Sequence, residues 1–206
     1  MTQQNLKLVF WILFGFWILS FGFSAYGWRI TKELKQELAG KQAAVRANPN
    51  DPDTRFDLAI TMAYTNNLQD GWNNLKKAVE LDPGYRKKGL DLYIKKVNEN
   101  LGDWRLRFRL AFAYYFNDKK KDAIRELDNV IKIDPYNVWA YGYIALIYGE
   151  LGDTETAMDY TRRGLKIDNN VAALHALLAE GYNRKGEKWN SFLEGLEALR
   201  LKALGY

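Results

Sequence analysis

At 206 residues, 48% of them hydrophobic, the chain is long enough for one compact domain and an accessory segment, and its composition is not that of a disordered polymer. Its 30 Lys and Arg against 25 Asp and Glu leave a small basic excess of +5, with no basic stripe of the kind that tracks nucleic acid. With no Cys and a single His, His175, neither a Cys-His catalytic pair nor a zinc site of several imidazoles can be assembled from one chain, and no cofactor or metal is expected.

After a short tail, residues 1–7, no charged side chain occurs from Leu8 to Trp28. At roughly 1.5 Å of rise per residue this stretch covers about 30 Å, the hydrocarbon thickness of a bilayer, so 8–28 is predicted to be a transmembrane helix. The competing reading is a cleaved secretory signal, for which only Phe23-Ser24-Ala25 offers a cutting site. Large rings at Phe14, Phe16, Trp17, Phe21 and Tyr26 run past the length of a signal core and favour an uncleaved anchor. Gly15 and Gly22 line up at a seven-residue interval, and Ser20 and Ser24 form a second small pair; either face would let another membrane helix come close. Arg29, Lys32, Lys35 and Lys41 after the span outnumber Lys7 before it, which places the rest of the chain in the cytoplasm, although Glu33 and Glu37 interleave with them.

Residues 29–48 read as a helical stalk. Thr31 to Ala47 is rich in good helix formers, with Leu34, Leu38 and Val45 near one face, and Asn48-Pro49-Asn50-Asp51-Pro52 stops it. Its last turns are expected to cover the first repeat unit.

The remainder, 49–206, is periodic. Trp104–Tyr136 laid over Val138–Asn170 matches Leu110 with Ile144, Ala111 with Ala145, Tyr114 with Tyr148 and Ala123 with Ala157, and both copies close on an Asp, Asp134 and Asp168. A period of 34 residues predicts stacked helix-turn-helix units: 52–85, 104–137, 138–171 and 172–206. Residues 86–103 do not fit and have room for one helix, either an insertion that redirects the stack or a degenerate repeat. The caps are legible too: Asp51 or Asp53 before the first helix, Asp82 and Asp134 as turn residues before proline. His175, in the first turn of the last unit, is read as a packing residue.

This pattern resembles the tetratricopeptide repeat, an all-α solenoid whose leading helices line a concave face that binds peptides or partner helices. Carried over residue by residue, that resemblance implies a partner-binding groove of Phe56, Ile60 and Tyr64, then Arg105, Phe108, Phe112, Tyr115 and Phe116, then Trp139 and Leu146, then Glu180 and Arg184. Most are aromatic or aliphatic, so the expected ligand is an apolar peptide segment or helix. The competing expectation is that these rings pack on one another or on the stalk. An anchor followed by a stalk and repeats is similar in architecture to membrane-anchored bacterial assembly factors, including the repeat subunits of cytochrome c haem-attachment machinery. The resemblance implies a single-pass inner-membrane protein with periplasmic repeats, acting as scaffold or assembly factor for a membrane complex. The alternative is a permanent structural subunit of such a complex. Catalysis is not expected, because the reactive residue types are missing.

Overall fold

The computed structural model describes residues 32–65 and 67–204. Over these residues the chain is helical, with ten α-helices and no strand: α1 (Lys32–Ala47), α2 (Pro52–Tyr64), α3 (Leu68–Leu81), α4 (Tyr85–Glu99), α5 (Trp104–Phe116), α6 (Lys120–Ile133), α7 (Val138–Glu150), α8 (Thr154–Ile167), α9 (Ala172–Arg184) and α10 (Lys188–Ala203). The expected span 8–28, with Gly15, Gly22, Ser20 and Ser24, lies outside the described residues. Among the described residues, no helix is long and apolar enough to cross a membrane.

The helix boundaries follow from local chemistry. Asp51, rather than Asp53, caps α2 by accepting from the amides of Asp53 and Thr54 at 3.1 and 3.3 Å, with Pro52 in the first turn. Asp103 does the same for α5 with Arg105 and Leu106, and Asn137 for α7 with Ala140. At the far ends, Asp82, Asp134 and Asp168 each accept from the amide two residues on, which turns the chain into the next unit. The bends after α5, α7 and α9 each use one left-handed residue, recurring every 34 positions at Asp118 (φ 58°), Gly152 (φ 87°) and Gly186 (φ 79°).

Four hairpins result: α2 with α3, α5 with α6, α7 with α8, and α9 with α10. Successive hairpins stack by the second helix of one against the first of the next, as α6 on α7 and α8 on α9. The stack is interrupted between α3 and α4, which are consecutive yet barely touch. Instead α4 lies along α5, and α1 along α2, each in the place of a second helix without its leading partner. The leading-helix place beside α5 is taken by α2, as α7 is beside α9.

The stalk packs on the repeats over more than its last turns. Contact begins in the first turn of α1, where Leu34 is 1% exposed, and Ala44 and Val45 toward its end are half-buried. Polar pairs then hold the helix down: Glu37 with Arg109 of α5 and with the Thr61 hydroxyl of α2, and Lys41 with Asp57 of α2. An amphipathic pattern scored on apolar residues alone misses this, because the docking is half electrostatic.

Candidate partner-binding surface

The residues expected to line an apolar groove fall into two groups. Phe56, Ile60, Phe108, Phe112, Phe116 and Trp139 are all buried inside the chain, with exposures from 0 to 9%. Phe56 packs edge-on against Tyr85 at 5.3 Å between centroids and tilts on Tyr93 at 5.9 Å. Phe108 and Phe112 meet the Tyr143 ring at 5.7 and 4.7 Å, Trp139 lies 6.3 Å from that ring, and Phe116 takes the edge of Trp72 at 4.6 Å. Arg105, Tyr115 and Leu146 form the second group and stay partly accessible. Tyr64 ends α2, and its side chain lies outside the described residues.

The open apolar groove is therefore corrected: its first half is closed by this same polypeptide. Helix α2 sits against α5, and the Tyr143 hydroxyl of α7 donates to the Ala63 carbonyl of α2 at 2.8 Å, tying residues 80 apart in sequence. The physical reason is area. Each large ring withdrawn from water contributes roughly 1.5–3 kcal/mol, and a curved wall of rings left open would forgo that gain at every repeat. Tyr143 shows how thoroughly the space is sealed, since burial pushes its phenol far above the usual range.

Beyond Tyr143 the inner face changes character. Where α7, α8 and α9 meet, a small cleft is lined by Leu146 and Gly149 of α7, Thr154 and Thr161 of α8, and Leu177, Glu180 and Arg184 of α9. The Arg184 guanidinium donates to the Gly149 carbonyl at 2.8 Å and to Glu180 at 2.7 Å, so the rim carries a cation and a carboxylate in fixed positions. At the end of α7, Glu150 accepts from the Tyr115 hydroxyl at 2.7 Å and pairs with Lys120 at 2.9 Å. Burial, and then the Glu150 carboxylate, push the Tyr115 phenol up, which keeps it a donor at neutral pH. This rim offers hydrogen bonds and an apolar floor, the mixture that fixes a bound segment's orientation.

His175 is buried between Glu194 on Nδ1 at 2.6 Å and the Asn169 carbonyl on Nε2 at 3.0 Å, and it fastens α9 to α10. No group of acidic, His or Cys side chains able to hold a metal occurs among the described residues.

A family model described as tetratricopeptide repeat matches residues 126–159. The TPR repeat-containing protein MJ1428 of Methanocaldococcus jannaschii is 27% identical over 129 residues, covering 60% of this chain and 22% of that protein. The TPR repeat-containing protein YpiA of Bacillus subtilis is 24% identical over 169 residues, covering 82% and 35%. The chain thus spans between about a fifth and a third of the length of the curated relatives it matches. Among solved structures, one titled MamA MSR-1 C2 aligns with a TM-score of 0.54 at 16% identity over 84% of this chain and 90% of that one. YrrB, titled a TPR protein with an unusual peptide-binding site, aligns at 0.52 with 15% identity over 79% and 92%. At these identities the structures speak for the fold alone.

Proposed function

We propose that this chain, similar to tetratricopeptide-repeat proteins, is a protein–protein interaction module that works as a membrane-tethered scaffold or assembly factor whose reading surface is the inner face of α7 and α9. The observation that carries this is the contrast along the inner wall: rings sealed on α2 and α5, but Leu146, Glu150, Glu180 and Arg184 left within reach of solvent. A partner suited to that surface presents an apolar side chain to Leu146 and polar groups to Glu150 and Arg184. It is an extended or helical segment of mixed character rather than a wholly apolar one. YrrB, a TPR protein with an unusual peptide-binding site, shares the fold, which supports a peptide-binding role.

The tether is the uncharged stretch from Leu8 to Trp28, long enough to span a bilayer once. It would hold the repeats at a bacterial inner membrane and raise their local concentration beside membrane-bound partners. The repeats would then be periplasmic, in keeping with the architecture of membrane-anchored assembly factors. A reporter fused after Tyr206 reads the side directly, and carbonate extraction of membranes reads the tether.

Cross-linked capture with the full chain in mild detergent tests the reading surface. Leu146→Glu combined with Arg184→Glu should abolish recovery of partners seen with the unaltered chain, while a charge change on the outer face, Lys121→Glu, leaves it intact. A double variant that melts like the unaltered chain and still captures the same partners would remove the α7 and α9 face from consideration.

A further inference from the structure

The last helix presents its apolar side to water. Trp189, Phe192, Leu193, Leu196 and Leu199 are 46–68% exposed and fall within an arc of about 120° at 100° per residue, whereas the side toward α9 carries Ser191, Glu194, Ala198 and the buried Leu201. The 34-residue period shows what has changed. The exposed row Glu155, Asp159 and Arg162 of α8, preceded in α6 by Lys121, Arg125 and Asp128, becomes Trp189, Leu193 and Leu196 in α10. Three charged outer positions have turned into large apolar ones.

A bare stacking face does not explain this row. Phe192 and Leu199 do follow Met158 and Leu165 by one period, and Met158 is the residue that α8 presses against Gly181 of α9. Another helix stacked in that register would cover Phe192 and Leu199 but leave Trp189, Leu193 and Leu196 outside it. The occupant has to lie over the outer row, with Leu196 near its middle.

The spacing around Leu196 is close to palindromic. Positions equidistant from it pair Leu193 with Leu199, Trp189 with Ala203, and Phe192 with Arg200. Two such helices crossing antiparallel at Leu196 bring leucine onto leucine, set the largest ring against a methyl group, and lay a guanidinium on a phenyl face. A lipid surface fits less well. Lys188, Arg200 and Lys202 against Glu194 and Glu197 leave one excess positive charge on the helix, not the Lys- and Arg-rich border of an interfacial helix, and Arg200, paired with Glu197, sits inside the stripe.

We propose that α10 docks antiparallel on α10 of a second copy of this chain, the two crossing at Leu196. The pairing is isologous, so it closes as a dimer and leaves the inner face of α7 and α9 of each copy free. It stands apart from the partner-binding reading and survives that reading's failure.

The chain has no Cys, so single cysteines report the geometry directly. Full chain carrying Leu196→Cys should form a disulfide dimer under mild oxidation about tenfold or more faster than chain carrying Tyr136→Cys, an 80% exposed control on α6's exit turn. A mixture of Leu193→Cys and Leu199→Cys chains should cross-link to each other in preference to either alone. Equal rates for Leu196→Cys and Tyr136→Cys overturn the proposal, and so does Leu193→Cys pairing fastest with itself, which means parallel helices. Protection of Leu196→Cys from a soluble thiol reagent without any disulfide dimer also overturns it, because a different surface then covers the helix.

Discussion

The same solenoid wall is treated in two ways along its length. Where α2 meets α5 and α7, the inner face is a sealed, ring-lined contact; where α7 meets α9, a cleft is rimmed by Glu180 and Arg184, with the half-buried Glu150 close by at the end of α7. The front of the chain supplies its own occupant for the apolar half, while among the described residues the polar half stays partly accessible. Aromatic residues at positions that contact ligand in a regular repeat array therefore become core when the array is interrupted, as it is between α3 and α4.

Phe56→Ala should cause the largest loss, because the side chain is 1% exposed and walled by Tyr85, Tyr93 and α4. Urea unfolding is expected to show a deficit of about 3–5 kcal/mol. A loss under 1 kcal/mol would mean that the front half is not the packed region described.

Next comes Glu37→Gln, which breaks the pair with Arg109. Burial pushes that guanidinium down to about 10, and it is 12% exposed while Glu37 is 23% exposed. Fully buried pairs cost about 3–5 kcal/mol to break, and the residual exposure of Glu37 lowers the expectation to about 2 kcal/mol. The same variant should loosen α1, read as faster amide exchange from Lys32 to Ala47.

Two glycines sharpen the contrast further. A Cβ at Gly89 would stand 2.6 Å from two Phe56 ring atoms, so Gly89→Ala should destabilise by about 1–2 kcal/mol despite the better helix propensity of alanine. At Gly149, in the open half, the nearest atom is 4.0 Å away, and Gly149→Ala should stabilise by roughly 0.5–1 kcal/mol.

A modest loss is expected from Tyr143→Phe, about 1 kcal/mol at neutral pH for the lost bond to the Ala63 carbonyl. Its signature is in the pH dependence. Burial raises the Tyr143 phenol in the folded chain, while the unfolded phenol titrates near 10, so above that pH the unfolded state releases a proton that the folded state keeps. Stability is intact below pH 10 and falls as pH rises past it; Tyr85 and Tyr115, also raised, act in the same sense. Arg109, lowered, works in the opposite sense above pH 10. Tyr143→Phe should flatten the alkaline limb of a Tm-against-pH curve, and an unchanged limb would argue against its burial.

The fold was legible in the sequence because the repeat writes itself in small residues and turns. Ala111 and Ala145, the Asp134 and Asp168 turns, and the left-handed residues at 118, 152 and 186 all recur at one spacing. The lone helix at 86–103 was legible as a leftover length, and Leu90, Tyr93 and Val97 do face inward from it. The closure was not legible. It depends on where α2 lands after the interruption, a long-range fact that no local pattern carries, and on ion pairs such as Glu37 with Arg109 between segments 72 positions apart. Glu180 and Arg184 could be placed on the inner face by repeat register, but their standing above the buried rings required the third dimension.

Thiol reactivity in this Cys-free chain measures the contrast most directly. Ala63→Cys on the sealed face of α2 and Ala176→Cys on the inner side of α9 are near-isosteric changes, read with a small soluble reagent under native conditions. The account predicts that Ala176→Cys reacts readily while Ala63→Cys reacts only through unfolding, its rate climbing with urea. Equal native reactivity at the two positions would contradict it, because the front half of the wall would then be as open as the back.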